Sequence, residues 1–242
     1  MTPEERHACD ILRSYGDPAC YEEMIQTLVR GYAGWLDAGE GGVALYSRRA
    51  DMYMLAGHSW ARFEQMLSLV PPGASSILLH GTLDEATVER VRRRYGLRHA
   101  YRFVEYAYYG ELPEEDRAFD IRPLGPQALD FVFANYGHAS REYLHERLCD
   151  GVMLGAYVEG ELAAFIGEHI EGSMGLLHVM PEYRRHHLGY ALERAAIRRT
   201  MLLGQVPYDQ VFEDNAASHA LQKRLGMTPS AGRIHCLTDD AY

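Results

Sequence analysis

The sequence lacks a long apolar segment and has few cysteines. No apolar run in the 242 residues approaches the ~20 that a helix needs to cross a bilayer, so no membrane partner is expected. The first six residues are polar and acidic, unlike a secretory signal. The four cysteines show no paired spacing, which favours free thiols over a disulfide framework. Together these features predict a cytoplasmic protein.

Basic residues are also scarce. The chain has 24 Lys and Arg against 34 Asp and Glu, a net charge of −10, which argues against nucleic acid as a partner. A basic run of Arg90, Arg92, Arg93 and Arg94 falls at the end of a predicted helix, where positive charge complements the helix dipole. The hydrophobic content of 47% is that of an ordinary globular protein, and the length allows one large domain or two small ones.

The segment from Gly175 to Leu192 has the pattern of a strand, a polar turn and a helix. Gly175 to Val179 is apolar, and Pro181 closes the strand because proline cannot donate to a sheet. From Leu188 onward the apolar residues recur at helical spacing. The free N–H groups and the dipole at such a helix start form an anion site, to which Arg184 and Arg185 add positive charge.

A second strand and helix follow downstream. Tyr208 to Phe212 has the composition of a strand, and Asn215 is a favourable N-cap for the helix that comes next. Gly226 is suited to terminate that helix.

These two segments resemble the GNAT superfamily of N-acetyltransferases. The family's pyrophosphate motif is Arg or Gln, two residues, Gly, one residue, and Gly or Ala. It corresponds here to Arg184 through Gly189, with His187 at the first glycine. The family's last helix has Asn, two residues, Ser, two residues and Leu, which matches Asn215 onward. The tyrosine that many members carry after that leucine is Gln222 here. The resemblance covers about residues 118–242 and is closest to the glycine N-acyltransferase-like branch.

The resemblance implies acyl transfer from acetyl-CoA or another acyl-CoA, without a metal, to the primary amine of a small molecule or peptide. The protein would act as a monomer or homodimer. The Val179 N–H would stabilise the oxyanion. The residues implied in binding the co-substrate are Leu177, His178, Val179, Arg184, Arg185, His186, His187, Leu188, Gly189, Tyr190, Asn215 and Ser218.

The general base that deprotonates the amine should come from the hairpin before Gly175. If the strand is continuous, residues 171, 173, 175, 177 and 179 share one face. Glu171 is therefore the first candidate, followed by His169 and Glu168. The alternative is that Glu171 and Gly172 form only a solvated hairpin turn.

The acidic stretch 110–116 predicts a boundary between residues 1–112 and 118–242. Both halves have the same order of strands and helices, which predicts an α/β (α+β) fold with a mixed central sheet flanked by helices. We expect an acyl-CoA N-acyltransferase fold in tandem, with a truncated and degenerate N-terminal copy. The departures at His187 and Gln222 leave a second hypothesis open, a non-catalytic acyl-CoA-binding or interaction module.

Overall fold

The computed structural model describes residues 1–240, in which helices and strands alternate along the chain. The α-helices are α1 (Pro3–Arg13), α2 (Glu22–Val29), α3 (Trp60–Leu67), α4 (Glu85–Tyr95), α5 (Leu129–Asn135), α6 (Arg141–Cys149), α7 (Leu188–Leu202) and α8 (Ala216–Leu225). None of the helices in this range is long and apolar enough to cross a membrane.

The strands of the described range form parallel as well as antiparallel pairs, so the sheet is mixed. They are β1 (Ala33–Gly39), β2 (Gly42–Ser47), β3 (Met52–Gly57), β4 (Ser76–Gly81), β5 (His99–Ala107), β6 (Asp120–Leu124), β7 (Met153–Val158), β8 (Glu161–Glu168), β9 (Met174–Val179), β10 (Tyr208–Phe212), β11 (Thr228–Pro229) and β12 (Arg233–Thr238).

Local capping explains where several helices begin. Thr2 and Glu5 form a reciprocal capping box at the start of α1. The sequence also predicts such a box between Thr82 and Glu85, and this prediction is wrong. Helix α4 begins at Glu85, so Asp84 is the N-cap, and its carboxylate accepts from the Thr87 N–H at 2.6 Å.

Spatial clustering divides the chain into two compact units. Among the described residues, the first unit contains 1–107, 210–220 and 228–240, and the second contains 108–209 and 221–227. This division follows proximity rather than chain order. The domains 1–112 and 118–242 expected from the sequence therefore stay a prediction.

The first unit contains a sheet with the strand order β1-β2-β3-β4-β12-β5. Strands β3 and β4 are parallel, whereas β12 runs antiparallel to both of its neighbours. Val43 and Leu45 pack with α1 and α2, and the intervening Ala44 packs with α3 and α4. Because successive side chains of a strand point to opposite faces, the sheet separates two apolar cores.

The second unit has the order β9-β8-β7-β6, with the start of β10 beside β9. Its strands are antiparallel except for the parallel pair β9 and β10. Helices α5 and α6 bury Val132, Leu144 and Leu148 against Phe165, and α7 packs against β7, β8 and β9. The predicted mixed sheet flanked by helices is confirmed.

The central position of β12 makes its apolar side chains sensitive to substitution. Leu237 is 0% exposed in the core of the first unit. We expect Leu237→Asp to lower the free energy of unfolding by about 3–5 kcal/mol, because the variant loses apolar burial and buries a carboxylate. Chemical denaturation measures the change. Leu112→Asp is the matched control at a leucine that is 43% exposed, and an equally large loss there would contradict the explanation.

Candidate functional site

Strands β9 and β10 share a single ladder position in the described residues, where Asp209 pairs with Met174. Strand β9 continues to Val179, so the backbone after Met174 has an open edge on that side. Backbone N–H and C=O groups at such an edge are available to a partner with amide groups of its own.

A β-bulge interrupts β9 beside this edge. Two residues of β9, Leu176 and Leu177, oppose the single residue Ile166 of β8. Leu176 has φ +56°, a left-handed conformation that is uncommon for a non-glycine residue. The bulge shifts the alternation of side chains and re-aims the backbone groups near it. The strand is therefore not continuous, and the condition under which residues 171, 173, 175, 177 and 179 would share one face is not met.

The turn before α7 places an anion site next to the open edge. A short helical turn at Pro181–Tyr183 precedes Arg185 and His187, whose φ angles are +65° and +64°. The Ala191 N–H donates to the His187 carbonyl at 3.0 Å. The amides ahead of Ala191 have no acceptor within the helix, and with the dipole they favour a negatively charged group.

His187 has a left-handed backbone conformation, which glycine adopts more readily than any other residue. A left-handed conformation costs a residue with a Cβ about 1–2 kcal/mol. The imidazole is exposed, and its Nδ1 lies 3.2 Å from Nη1 of Arg224 on α8. The loop therefore keeps a left-handed residue despite the missing glycine, and the imidazole is drawn toward Arg224.

A cleft of about 230 Å³ opens at this turn. It brings together most of the residues predicted for co-substrate binding and adds three that were not predicted, Tyr183, Leu221 and Arg224. Its lining residues are Val179, Tyr183, Arg184, Arg185, His187, Leu188, Gly189, Tyr190, Leu221 and Arg224. Leu221 and Arg224 lie three residues apart, on one face of α8, and helical periodicity was the signal that could have found them.

Arginines give the cleft its positive charge. The Arg184 Nε donates to the Val179 carbonyl at 3.2 Å, which ties the turn to the end of β9. The guanidinium of Arg224 lies 4.5 Å from the centroid of the Tyr190 ring, a cation–π contact. Three guanidinium groups around one helix start suit a polyanionic ligand such as a pyrophosphate.

Five predicted residues lie outside this lining. His178 stacks on Phe165 at 5.6 Å, and burial, together with the charge of Arg184, lowers its pKa. Leu177 belongs to the bulge, and His186 is exposed in the turn. Asn215 accepts from the Ser218 N–H at 3.1 Å in the part of α8 that belongs to the first unit, so their binding role stays a prediction.

Glu171 and its neighbours form a turn between β8 and β9. The Gly172 N–H donates to the His169 carbonyl at 3.0 Å, which closes the turn. The Ser173 hydroxyl donates to the Glu171 carboxylate, and the Tyr208 hydroxyl donates to the Glu171 carbonyl at 2.9 Å. Glu171 is only partly buried, so its carboxylate is held in place yet still accessible.

The other two base candidates are held more tightly. The Tyr143 hydroxyl lies 2.9 Å from Nδ1 of His169 and accepts from the Ile170 N–H at 3.2 Å. The His169 ring packs against Gly175, where no Cβ would fit. Glu168 is buried, with 8% exposure. Of the three candidates, Glu171 and His169 are partly exposed, whereas Glu168 is buried.

Two buried carboxyl groups in the second unit were not predicted. Glu193 of α7 and Asp209 of β10 are each 4% exposed, and the Gln222 amide donates to Glu193 Oε1 at 3.3 Å. Burial raises the pKa of Glu193 to about 7, and burial together with Glu193 raises the pKa of Asp209 well above its usual value. The signal in the sequence was a glutamate inside the otherwise apolar stripe of α7.

Comparison with known proteins finds one family that part of the chain resembles. The model of the acetyltransferase (GNAT) family matches residues 119–227, somewhat less than half of the chain. The match spans the bulge, the turn and the Leu221–Arg224 face of α8, and supports the resemblance seen in the sequence. No curated protein sequence matches the chain.

Several solved structures share the fold over nearly the whole length. A Drosophila protein superposes with a TM-score of 0.64 at 18% identity, covering 98% of this chain and 97% of its own. A GCN5-related N-acetyltransferase from Kribbella flavida has a TM-score of 0.57 at 15% identity, with 97% and 96% coverage. A GNAT-family structure from Novosphingobium aromaticivorans has a TM-score of 0.55 at 18% identity, with both chains fully covered. At these identities the likeness concerns the fold alone.

The buried Glu193 predicts a pH-dependent stability. Its pKa is higher in the folded chain than the ordinary 4.5, so its contribution is complete below pH 4.5 and is lost as the pH rises through about 7. The loss is on the order of 3 kcal/mol. We expect Glu193→Gln to melt at a temperature that falls less between pH 5 and pH 8 than that of the wild type. Glu161→Gln, at an exposed position, is the control, and parallel curves for wild type and Glu193→Gln would refute the explanation.

Proposed function

We propose that the chain is an N-acyltransferase that moves an acetyl or other short acyl group from acyl-CoA to a primary amine. The observation that carries the proposal is the juxtaposition of an open strand edge and an anion-binding helix start in one unit. The edge begins where β9 leaves β10, and the helix start opens the cleft lined by Arg184, Arg185 and Arg224. A CoA molecule has amide groups along one arm and a pyrophosphate at the other end, so both features have a ligand group to bind.

The reaction would proceed by direct attack. The amine nitrogen attacks the thioester carbonyl carbon, the C–S bond breaks, and the amine loses a proton to a base. Backbone N–H groups beside the Leu176 bulge, including that of Val179, are suited to the developing oxyanion. We assign the base to Glu171, because its carboxylate is accessible and lies just before the point where β9 and β10 separate.

The departure of the thiolate depends less on an acid catalyst than the attack of the amine depends on a base. A thiol has a pKa of about 8.5, so the thiolate is a stable leaving group near neutral pH. Gln222 stands where many members of the family have tyrosine, and its amide contacts Glu193. A missing general acid at position 222 is therefore compatible with turnover.

The second candidate function is acyl-CoA binding without turnover. The contact between Gln222 and Glu193 favours it, because both side chains are buried and neither is placed to protonate a thiolate directly. Release of free thiol from acetyl-CoA, measured across a panel of amino acids, polyamines, peptides and aminoglycosides, separates the two candidates. Binding of acetyl-CoA without thiol release for any amine would favour the second.

The finer assignments belong to the same proposal. The glycine N-acyltransferase-like branch, the tandem origin of the two halves and a cytoplasmic location rest on the motifs and composition of the sequence. The acceptor is proposed as a small-molecule or peptide amine, and the protein as a monomer or homodimer.

Arg184 tests the proposed binding of CoA phosphate. Arg184→Glu inverts a charge at the cleft, so we expect its affinity for acetyl-CoA to fall at least about tenfold, or ~1.4 kcal/mol, in calorimetric titration. Arg117→Glu makes the same charge change at an exposed arginine outside the cleft and should bind normally. Equal affinity for Arg184→Glu and Arg117→Glu would remove the turn from the binding site.

His187→Gly should bind acetyl-CoA as well as the wild type or better, because glycine adopts the φ of +64° without strain.

Glu171 tests the proposed chemistry. Glu171→Gln keeps an oxygen that accepts from Ser173 but removes the basicity. With an amine that wild type acetylates, we expect turnover near pH 7 to fall about 10²–10⁴-fold while acetyl-CoA binding is unchanged. The deficit should shrink at high pH, where the amine is already deprotonated. Glu161→Gln is the control, and a deficit that does not vary with pH would indicate a structural role for Glu171.

A further inference from the structure

The first unit buries a group of titratable side chains that the proposed acyl transfer does not use. Glu23 near the start of α2, His80 of β4 and Glu105 of β5 are each 0% exposed. One nitrogen or oxygen atom from each residue lies within 4.8 Å of those from the other two. The three residues are distant in sequence and are brought together only by the packing of α2 on two strands.

The hydrogen bonding of His80 fixes which of its nitrogens faces the carboxylates. Its Nδ1 lies 3.1 Å from the Cys20 carbonyl oxygen, which can only accept, so Nδ1 carries the proton. The Nε2 atom therefore presents a lone pair, 3.5 Å from Oε2 of Glu23. Within residues 1–240, that Nε2 has no hydrogen-bond partner.

A lone pair that faces a carboxylate oxygen in a dry interior is unfavourable unless a positive group lies between them. The distance of 3.5 Å is longer than a normal hydrogen bond. It is close to the roughly 3.4 Å edge of a tetrahedron whose centre binds nitrogen and oxygen at about 2.0–2.1 Å. The spacing is therefore better suited to a metal ion than to a shared proton.

Neighbouring groups orient the carboxylates as they do in known metal centres. Gln210 Nε2 donates to Oε2 of Glu23 at 2.6 Å, and the Glu23 N–H donates to Oε1 of Glu105 at 2.6 Å. The Nδ1–H of His80 held by a backbone carbonyl is the arrangement that fixes a metal-binding imidazole with Nε2 toward the ion. Glu23 and His80 are thus each held by a residue outside the triad, and the Glu105 carboxylate is held by the backbone N–H of Glu23.

We propose that Glu23, His80 and Glu105 bind a divalent transition-metal ion, with Zn²⁺ the first candidate. One imidazole and two carboxylates match the ligands of zinc, manganese and iron, and the imidazole disfavours Mg²⁺ and Ca²⁺. Because the three residues are fully buried, the ion would be structural and would link α2 to β4 and β5. This proposal departs from the expectation of a metal-free protein and is independent of the proposed acyl transfer.

The test uses the full chain, unfolded and refolded with a chelator or with one equivalent of Zn²⁺, Mn²⁺ or Co²⁺. After desalting, we expect about one equivalent of at least one of these ions to remain by elemental analysis. That ion should raise the melting temperature by about 5 °C or more over the chelated chain. Retention of less than about 0.1 equivalent of all three ions would overturn the proposal, and the triad would then hold a shared proton.

A substitution at Glu23 tests whether the ion is bound by the triad or by the free cysteines. Glu23→Gln should lose the bound ion and the thermal shift. Glu22→Gln is the matched control, because Glu22 is the preceding residue, is also buried at 4% exposure, and contacts Gln26 instead. Equal metal content in the two variants would contradict the assignment. If Glu23→Gln does not fold, the metal content of the refolded wild type still decides whether the chain binds an ion.

Discussion

The pairing of Asp209 with Met174 is the last step at which β9 and β10 act as neighbours in a sheet. After it, the backbone of β9 needs hydrogen-bond partners from elsewhere, because open edges leave N–H and C=O groups unpaired. The bulge at Leu176 and the tie from Arg184 to Val179 both act on this same short stretch. The proposed ligand arm, oxyanion donor and base all depend on where the two strands part.

Both units bury carboxyl groups, yet the surroundings differ. In the second unit, Glu193 and Asp209 lie close together beside a neutral amide, and their raised pKa values indicate that protons reduce the charge. In the first unit, the carboxylates of Glu23 and Glu105 lie beside an imidazole whose lone pair is turned toward them. Protonation suffices to stabilise the buried pair Glu193 and Asp209, whereas the arrangement of Glu23, His80 and Glu105 is suited to a metal cation.

The sequence predicts those parts of the fold that depend on local chemistry. The strand, turn and helix around Pro181 and Leu188 are local, as is the Asn215 cap, and the structure contains all of them. The Leu176 bulge was not predictable, because nothing in an apolar strand marks which residue takes a positive φ. The pair Glu193 and Asp209 and the triad of the first unit were missed for another reason. Their members are far apart in sequence, and only tertiary packing brings them together.

The position of β12 has a consequence for biosynthesis. A ribosome delivers β4 and β5 long before β12, the strand that lies between them in the first unit. Until β12 emerges, both neighbouring edges are open to incorrect pairing, and closing so long a loop is entropically costly. Nascent chains of this protein should therefore depend on chaperones, or on slow translation of the last segment, more than their stability would suggest.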